Sequence, residues 1–398
     1  MSENFLHGVE VLEIDTGPRP ISTVRSSVIG IVGTAPLADE EAFPLNTPVL
    51  IAGSLREAAK LKAKEDTENK GEGTLPAALD SIFDQAGAVV VVIRVAQGDT
   101  ETETTANVIG GVNASTGNYE GVKALLGAES KLGVVPRILV APGFTHQRDG
   151  TANAVVAELK GIAQRLRAVV IADGPNKNDE AVIQYAGDFG DARVYLVDPW
   201  VLKLDDKGKP VAAPASPCVA GLLARIDNDE GFWVSPSNHE ISGIVGTARP
   251  VDFTLGDSNA RANLLNEKKI ATIVRQDGYR LWGNRTLSSD PKWAFLCVRR
   301  TADMINESLL RAHLWAVDKG ITKTYLEDVT EGVNAYLRNL TAKGAIIGGS
   351  CWADPELNTA DQIAQGKVYF DFDFTPVYPA EHITFRSHLT NKYLTELF

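Results

Sequence analysis

The sequence is short of the residues and spacings that most enzyme chemistry requires. Cysteine occurs three times, as Cys218, Cys297 and Cys351, an odd number at wide spacing and each among apolar or small neighbours. That excludes a disulfide framework and predicts buried thiols in a reducing compartment. Neither Cys-x-x-Cys nor His-Glu-x-x-His is present, and the six histidines never stand three or four residues apart, so no zinc pattern exists. The Gly-x-x-x-x-Gly-Lys-Ser/Thr phosphate cradle and the Gly-x-Ser-x-Gly elbow are also missing. The longest aliphatic run, 88–93, is far short of the ~18 residues a membrane span needs, so no membrane insertion is expected. Met1-Ser2-Glu3-Asn4 lacks the basic start of a secretory signal. Basic residues are outnumbered 39 to 51, a net charge of −12, which argues against direct nucleic-acid binding. The charge is read instead as solubility and self-repulsion.

What is present is an ordinary globular composition, 44% hydrophobic and 23% charged over 398 residues, enough for two or three domains. Periodicity predicts strands over 27–33, 47–51 and 88–95, with helical stretches over 54–63 and 75–83 and a polar loop over 64–73. Residues 100–105, rich in Thr and Glu, read as an exposed loop, and 113–121 as turns. From 137 the pattern is plainly α/β: strands over 137–141, 169–172 and 193–197 alternate with helices over 152–167 and 179–189, as in right-handed βαβ crossovers. Ser216-Pro217 reads as an N-cap and N1 proline ahead of another helix. Near Ile270 the texture changes to a hairpin, 270–274 and 279–282 around Asp277-Gly278, followed by two amphipathic helices over 302–316 and 326–340. Residues 368–374 alternate strictly and read as a strand. The fold class is α/β, α+β overall, with more than one domain.

Few side chains suggest catalysis. Gly30-Ile31-Val32-Gly33 lacks the third glycine of a dinucleotide loop and is followed by Pro36, so it reads as a structural turn. Asp371 and Asp373 share a strand face and could hold a hard cation, although a solvated or ion-paired face is the simpler reading. His313, beside Leu314 and Trp315, reads as a packing histidine. Asp173 and Asp198 each follow a strand, where α/β enzymes place acid/base carboxylates; Gly174 and Pro199 beside them make turn roles equally suitable. A cytoplasmic α/β small-molecule enzyme using Asp173 or Asp198 is therefore the alternative to the reading that follows.

The two ends are more informative. Val9, Val11 and Ile14 mark a short N-terminal strand that Gly17 and Pro18 separate from the body. At the other end Ile383, Phe385 and Leu389 alternate with Thr384, Arg386, His388 and Thr390, and the apolar character continues through Tyr393 and Leu394. Pro376 and Pro379 precede this segment as candidate hinges. Termini are usually polar and frayed, whereas strand-patterned apolar ends offer backbone groups to another chain. Eight such residues could form roughly 4–8 inter-chain hydrogen bonds at ~0.5–1.5 kcal/mol net each. Self-assembly through exchanged arms is expected.

Four stretches together resemble the sheath protein of contractile phage tails, in the temperate-phage and R-type pyocin branch. They are His7-Gly8-Val9-Glu10-Val11 with Gly17-Pro18-Arg19-Pro20-Ile21; Pro136-Arg137-Ile138-Leu139-Val140-Ala141-Pro142-Gly143; Asp277-Gly278-Tyr279-Arg280-Leu281-Trp282-Gly283-Asn284-Arg285-Thr286; and Gly366-Lys367-Val368-Tyr369 with Phe374-Thr375-Pro376. Trp282, Gly283, Arg285 and Thr286 are the most specific part, and 60–130 match least. The resemblance implies a non-enzymatic subunit without cofactor or metal, stacked as hexameric rings in a helix around an inner tail tube. The implied partners are further copies, the tube protein, and baseplate and tail-terminator proteins. The implied location is a virion tail or bacteriocin particle assembled in the host cytoplasm. It implies an N-terminal arm (1–20), α/β outer domains (21–268), a tube-proximal C-terminal domain (269–380) and a C-terminal arm (381–398). Arms would complete sheets of neighbouring subunits, with 368–374 a resident strand, and the sheath would shorten to drive the tube through an envelope. Lys319, Lys323, Arg338 and Lys343 are the candidates for facing the tube, although a plain solvated helix face accounts for them too. A non-phage scaffold built by the same arm exchange is a third reading.

Overall fold

The computed structural model describes residues 20–62, 73–205 and 207–397. The N-terminal arm residues Val9, Val11, Ile14, Gly17 and Pro18, and nearly all of the loop expected over 64–73, lie outside the described residues. Two compact units are present: 27–299 with the chain from 378 onward, and the chain up to 26 with 300–377. The backbone passes between them at 26/27, 299/300 and 377/378, the second passage falling inside the helix Leu296–Ala312.

The larger unit is built on eight strands: β1 (Ile29–Thr34), β2 (Pro48–Ala52), β3 (Val89–Val95), β4 (Ile138–Val140), β5 (Val169–Asp173), β6 (Val194–Val197) and, after a small sheet of β7 (Val201–Leu204), β8 (Pro210–Ala213) and β9 (Gly246–Thr247), β10 (Ile270–Arg275) and β11 (Tyr279–Trp282). Their order is β11-β10-β6-β5-β4-β1-β3-β2, with the six inner strands parallel and β2 and β11 antiparallel at the two edges. Parallel strands are covered on both faces, which is why they read as unbroken Val/Ile runs. Ile29, Ile31, Val90 and Val92 pack with the helices Leu75–Phe83 and Ser216–Asp229, while Val32, Val91 and Ile93 pack with Ala154–Leu166.

Several expectations are corrected here. The hairpin after Ile270 forms, but β10 pairs in parallel with β6, so it completes the main sheet instead of opening a C-terminal domain. The boundary expected at 268/269 therefore moves to 299/300. Gly30 and Gly33 lie inside β1, not in a turn. A Cβ at Gly30 would stand 2.8 Å from the Pro136 Cβ, and one at Gly33 2.3 Å from the Thr74 Oγ1, so both admit close neighbours to the strand. The loop expected over 100–105 is the first turn of the helix Glu101–Ile109, closed by a capping box between Thr100 and Glu103. Ser216 is the first helical residue and not the cap. Its N–H donates to Asp173 Oδ1 (2.8 Å) and its hydroxyl to Asp173 Oδ2 (2.6 Å), so a carboxylate from β5 caps that helix from outside it.

The smaller unit holds the rest of Leu296–Ala312, the helix Lys323–Ala342, and an antiparallel pair, β12 (Ile346–Ala353) and β13 (Phe370–Pro376). The strand expected at 368–374 begins and ends two residues later, and Pro376, expected as a hinge, is its buried last residue opposite Ile346. The segment before β1 is tied to these helices: Val24 N–H donates to Ser308 Oγ (3.0 Å), Thr23 and Tyr336 share a hydroxyl hydrogen bond (3.0 Å), and Arg300 donates to the Ser26 carbonyl (3.3 Å).

Asp173 is fully buried, and burial pushes its pKa up to about 6 despite the hydroxyl and amide donors around it. A folded-state pKa above the ordinary 3.8 means that the native protein holds this proton more tightly than the unfolded chain. The group's contribution to stability is thus greatest below about pH 4, falls as pH rises through about 6, and is flat above, a span of about 3 kcal/mol. Asp173→Asn keeps the acceptor for Ser216 N–H and removes the charge. Urea unfolding across pH 4–7 should show the variant gaining on the parent as pH rises, levelling off above about pH 6.5.

Candidate assembly site

β13 presents Phe370, Phe372 and Phe374 on one face and Asp371 and Asp373 on the other, with the rings of Phe372 and Phe374 stacked at 6.3 Å. Across the pair Cys351 faces Phe372, Trp352 faces Asp371 and Ser350 faces Asp373. Asp373 accepts hydrogen bonds from the Ser350 N–H (2.9 Å) and hydroxyl (3.1 Å). Asp371 lies against Asp354, and the hydrogen bond between the two carboxyls raises the pKa of Asp371. Among the described residues no third strand joins this sheet. The pair is supported by the helix Lys323–Ala342 packed against β12, since two strands alone are marginal in water.

The C-terminal segment carries the complementary deficit. Residues 383–390 belong to no helix or strand, and the hydrogen bonds found there are local, between Thr384 and His382 and from Lys392 N–H to Thr390. Phe385 is 94% exposed; Ile383 and Leu389 are exposed with it. The strand expected here is thus an alternating pattern without a strand partner among the described residues. It ends in a 3-10 helix, Lys392–Leu397, that leaves Tyr393 and Leu394 exposed.

The root of that arm is fixed by the most specific sequence stretch. Trp282 closes β11 opposite Thr272, edge-on to Phe253 at 4.7 Å. Gly283, at φ +134°, passes so close to β10 that a Cβ would lie 2.8 Å from the Ala271 Cα, and its carbonyl accepts from the Tyr195 hydroxyl (2.6 Å). Thr286 is buried, donating to the Trp293 carbonyl (2.9 Å). Arg285, so placed, lies over the Phe295 ring (5.3 Å) and grips Glu381 with two parallel hydrogen bonds, one of 2.7 Å, which raises the arginine pKa further. Tyr378 meets Phe295 edge-on at 6.3 Å. Pro379 is therefore bracketed by two anchors, and the free arm starts after Glu381.

The other predicted residues fall elsewhere. Lys319, Lys323, Arg338 and Lys343 are exposed on the smaller unit, with Lys323 paired to Glu327 (3.7 Å) and Arg338 to Glu331. The ring Nδ1 of His313 donates to the Leu309 carbonyl (2.6 Å), and the three cysteines are buried thiols, as expected. Asp198 is also buried, held by Arg249 and the Asn176 N–H (2.9 Å); burial raises its pKa against the pull of Arg249. Neither Asp173 nor Asp198 reaches solvent, so neither has the access that acid/base work on a substrate needs. A cleft of about 290 Å³ bordered by Asn46, Asn107 and Glu120 includes neither carboxylate.

Residues 117–287 match the phage tail sheath protein central domain, and residues 288–390 the phage tail sheath C-terminal domain. The chain belongs to the phage tail sheath family. It is 47% identical over 397 residues to a prophage major tail sheath protein of Pseudomonas aeruginosa (strain UCBPP-PA14), covering 99% of both chains. It is 40% identical to the tail sheath protein of Escherichia phage P2, covering 99% of this chain and 98% of that one. The fold is shared with the helical sheath of the anti-feeding prophage in its contracted state (TM-score 0.71, 21% identity, 96% of this chain and 99% of that chain). It is also shared with the sheath complex of the extracellular contractile injection system PVC in its contracted state (TM-score 0.67, 17% identity, 98% and 99%). The sheath family member described here is thus a structural subunit, and its signature stretch holds the root of its C-terminal arm.

Arg285→Ala should leave global stability within about 1 kcal/mol, because the ion pair is partly exposed. It should free residues 378–381 from the larger unit. Limited proteolysis of the monomer should then cut near Tyr378 several-fold faster than in the parent; equal rates would show that Arg285 does not hold the root.

Proposed function

We propose that this sheath subunit polymerises by lending its terminal strands to the β12–β13 sheets of neighbouring copies, forming stacked hexameric rings in a helix around an inner tail tube. The sheath then shortens and drives the tube through a target envelope. The observation that carries this reading is the match of two deficits: an unpaired, apolar, alternating C-terminal segment and an unfinished two-stranded sheet of similar length. Main-chain pairing tolerates rotation of subunit bodies better than side-chain contacts do, so connections of this kind persist through a large rearrangement. The energy for shortening would lie in body–body contacts that improve on contraction.

On this reading the tube protein, baseplate and tail-terminator proteins are the partners, and the particle is a virion tail or bacteriocin assembled in the host bacterial cytoplasm. The names of the relatives, prophage and phage tail sheath proteins, support that setting. Lys319, Lys323, Arg338 and Lys343 remain the proposed tube-facing residues.

Negative-stain microscopy of the purified chain tests the proposal: striated hollow tubes are expected, and small closed oligomers would refute it. Removing residues 383–398 should give a folded monomer melting within a few degrees of the parent, since residues 383–394 are exposed and lie outside the core. That variant should form no tubes. Tubes of normal appearance would show that the C-terminal arm is not the connector.

A further inference from the structure

One end of the β12–β13 ladder carries an exposed group of unusual composition. Trp352 stands opposite Asp371, and one step beyond Ala353 and Phe370 the Asp354 N–H donates to the Tyr369 carbonyl (3.2 Å). Alternation places Trp352, Asp354, Tyr369 and Asp371 together on one face. The Phe370 ring, on the other face, meets Tyr325 of the helix Lys323–Ala342 (6.4 Å), so the group is turned away from that helix. The Asn358 carboxamide fixes the backbone here, accepting from the Tyr369 N–H and donating to the Tyr369 carbonyl (2.8 Å each). Asp354 also accepts from the Leu357 N–H (2.9 Å), which brings Leu357 to the rim. Trp352 (42%), Leu357 (49%) and Tyr369 (37%) are exposed. Charge is one-sided: 351–373 contain five acidic residues and one basic, Lys367.

A surface of opposite character lies at the root of the C-terminal arm. Between 285 and 299 the basic residues Arg285, Lys292 and Arg299 face a single acid, Asp290. Trp293, whose carbonyl accepts from the Thr286 hydroxyl, carries Arg299 over its ring at 4.0 Å and the exposed Lys292 at 5.5 Å. Glu381 is gripped by Arg285, and Ile383 is two residues further on, a reach of about 7 Å at most. A copy that lays 383–390 against the sheet of another therefore brings its own root surface to one end of that sheet. The Phe370 end holds the acidic group, whereas the Pro376 end faces Ile346, three residues after the basic Lys343. Aromatic centres with rims of opposite charge make specific interfaces, and like charges brought together are penalised.

Resting on the strand-exchange reading above, we propose that the face formed by Trp352, Asp354, Tyr369 and Asp371 is a docking site for the arm-root surface of a second copy, whose Lys292 enters between the two carboxyls while its Trp293 lies against the exposed rings. The donated segment then starts at the Phe370 end and runs parallel to β13. Being a side-chain contact between opposite charges at the surface, this docking weakens with salt, which main-chain pairing does not.

Carbodiimide coupling, which joins a lysine amine to a carboxylate in direct contact, tests this on tubes assembled from equal amounts of isotopically heavy and light full-length chain. Peptide mapping should give a mixed heavy–light link from Lys292 to Asp371 or Asp354, absent from the unassembled chain. Tubes without that link, or with those carboxylates joined to a different lysine, would overturn the docking face and leave strand exchange standing. Charge reversal gives an independent readout. Asp371→Lys and Lys292→Asp should each raise the critical concentration for tubes several-fold at low salt without moving the monomer's melting temperature, and the reciprocal double variant should return it close to the parent value. Single variants that assemble like the parent, or a double variant no better than either single, would show that the two residues do not pair. Tubes from chains lacking 383–398 would sink the strand-exchange reading instead, while a Lys292 link within them would keep the docking face.

Discussion

Main-chain hydrogen bonding governs this protein more than any side-chain chemistry does. A backbone N–H or C=O needs a partner wherever water is excluded, and the large unit meets that need internally with eight paired strands and helices on both faces. Elsewhere it is not met: among the described residues β13 has one paired edge and one open one, and residues 383–390, which belong to the larger unit, have neither. On the reading proposed above, the joint between copies is left unfinished in each, so that completing the fold and completing the assembly are the same event.

The polar residues inside the larger unit serve the scaffold. Asp173 caps a helix that begins 43 residues later in the chain, and Asp198 with Arg249, Asp179 and Arg261 forms a carboxylate–guanidinium cluster behind the C-terminal ends of β5 and β6. Those positions are where α/β enzymes keep catalytic groups, yet here both carboxylates are buried and hydrogen-bonded to neighbours. A fold that elsewhere supports catalysis is used as a stiff body.

The parallel core was legible because covered strands such as 88–95 leave continuous Val/Ile runs and the crossover helices carry clear apolar stripes. The hairpin around Asp277-Gly278 was equally clear, but its sheet was not, since strand order depends on distant pairing that no local pattern encodes. The helix at Glu101 was missed although Thr100-Glu101-Thr102-Glu103 carries a capping box; its exposed face and weak apolar stripe made it read as loop. β12 was missed because Gly348-Gly349-Ser350 breaks alternation, and the need of β13 for a resident partner was the available clue. Of the site, the C-terminal pattern was visible as unpaired and apolar. The grip of Arg285 on Glu381, 96 residues away, is a tertiary contact that spacing cannot disclose.

The segment that follows the N-terminal arm is tied to Ser308, Tyr336 and Arg300, whereas the C-terminal arm is rooted through Glu381 on Arg285. The main chain joins these two tethers through the passages at 26/27, 299/300 and 377/378. The middle one is a helical rod, which resists extension far better than a loop because stretching it breaks its hydrogen bonds in sequence. Within each copy the two tethers are thus joined by continuous covalent chain, one passage of which is helical.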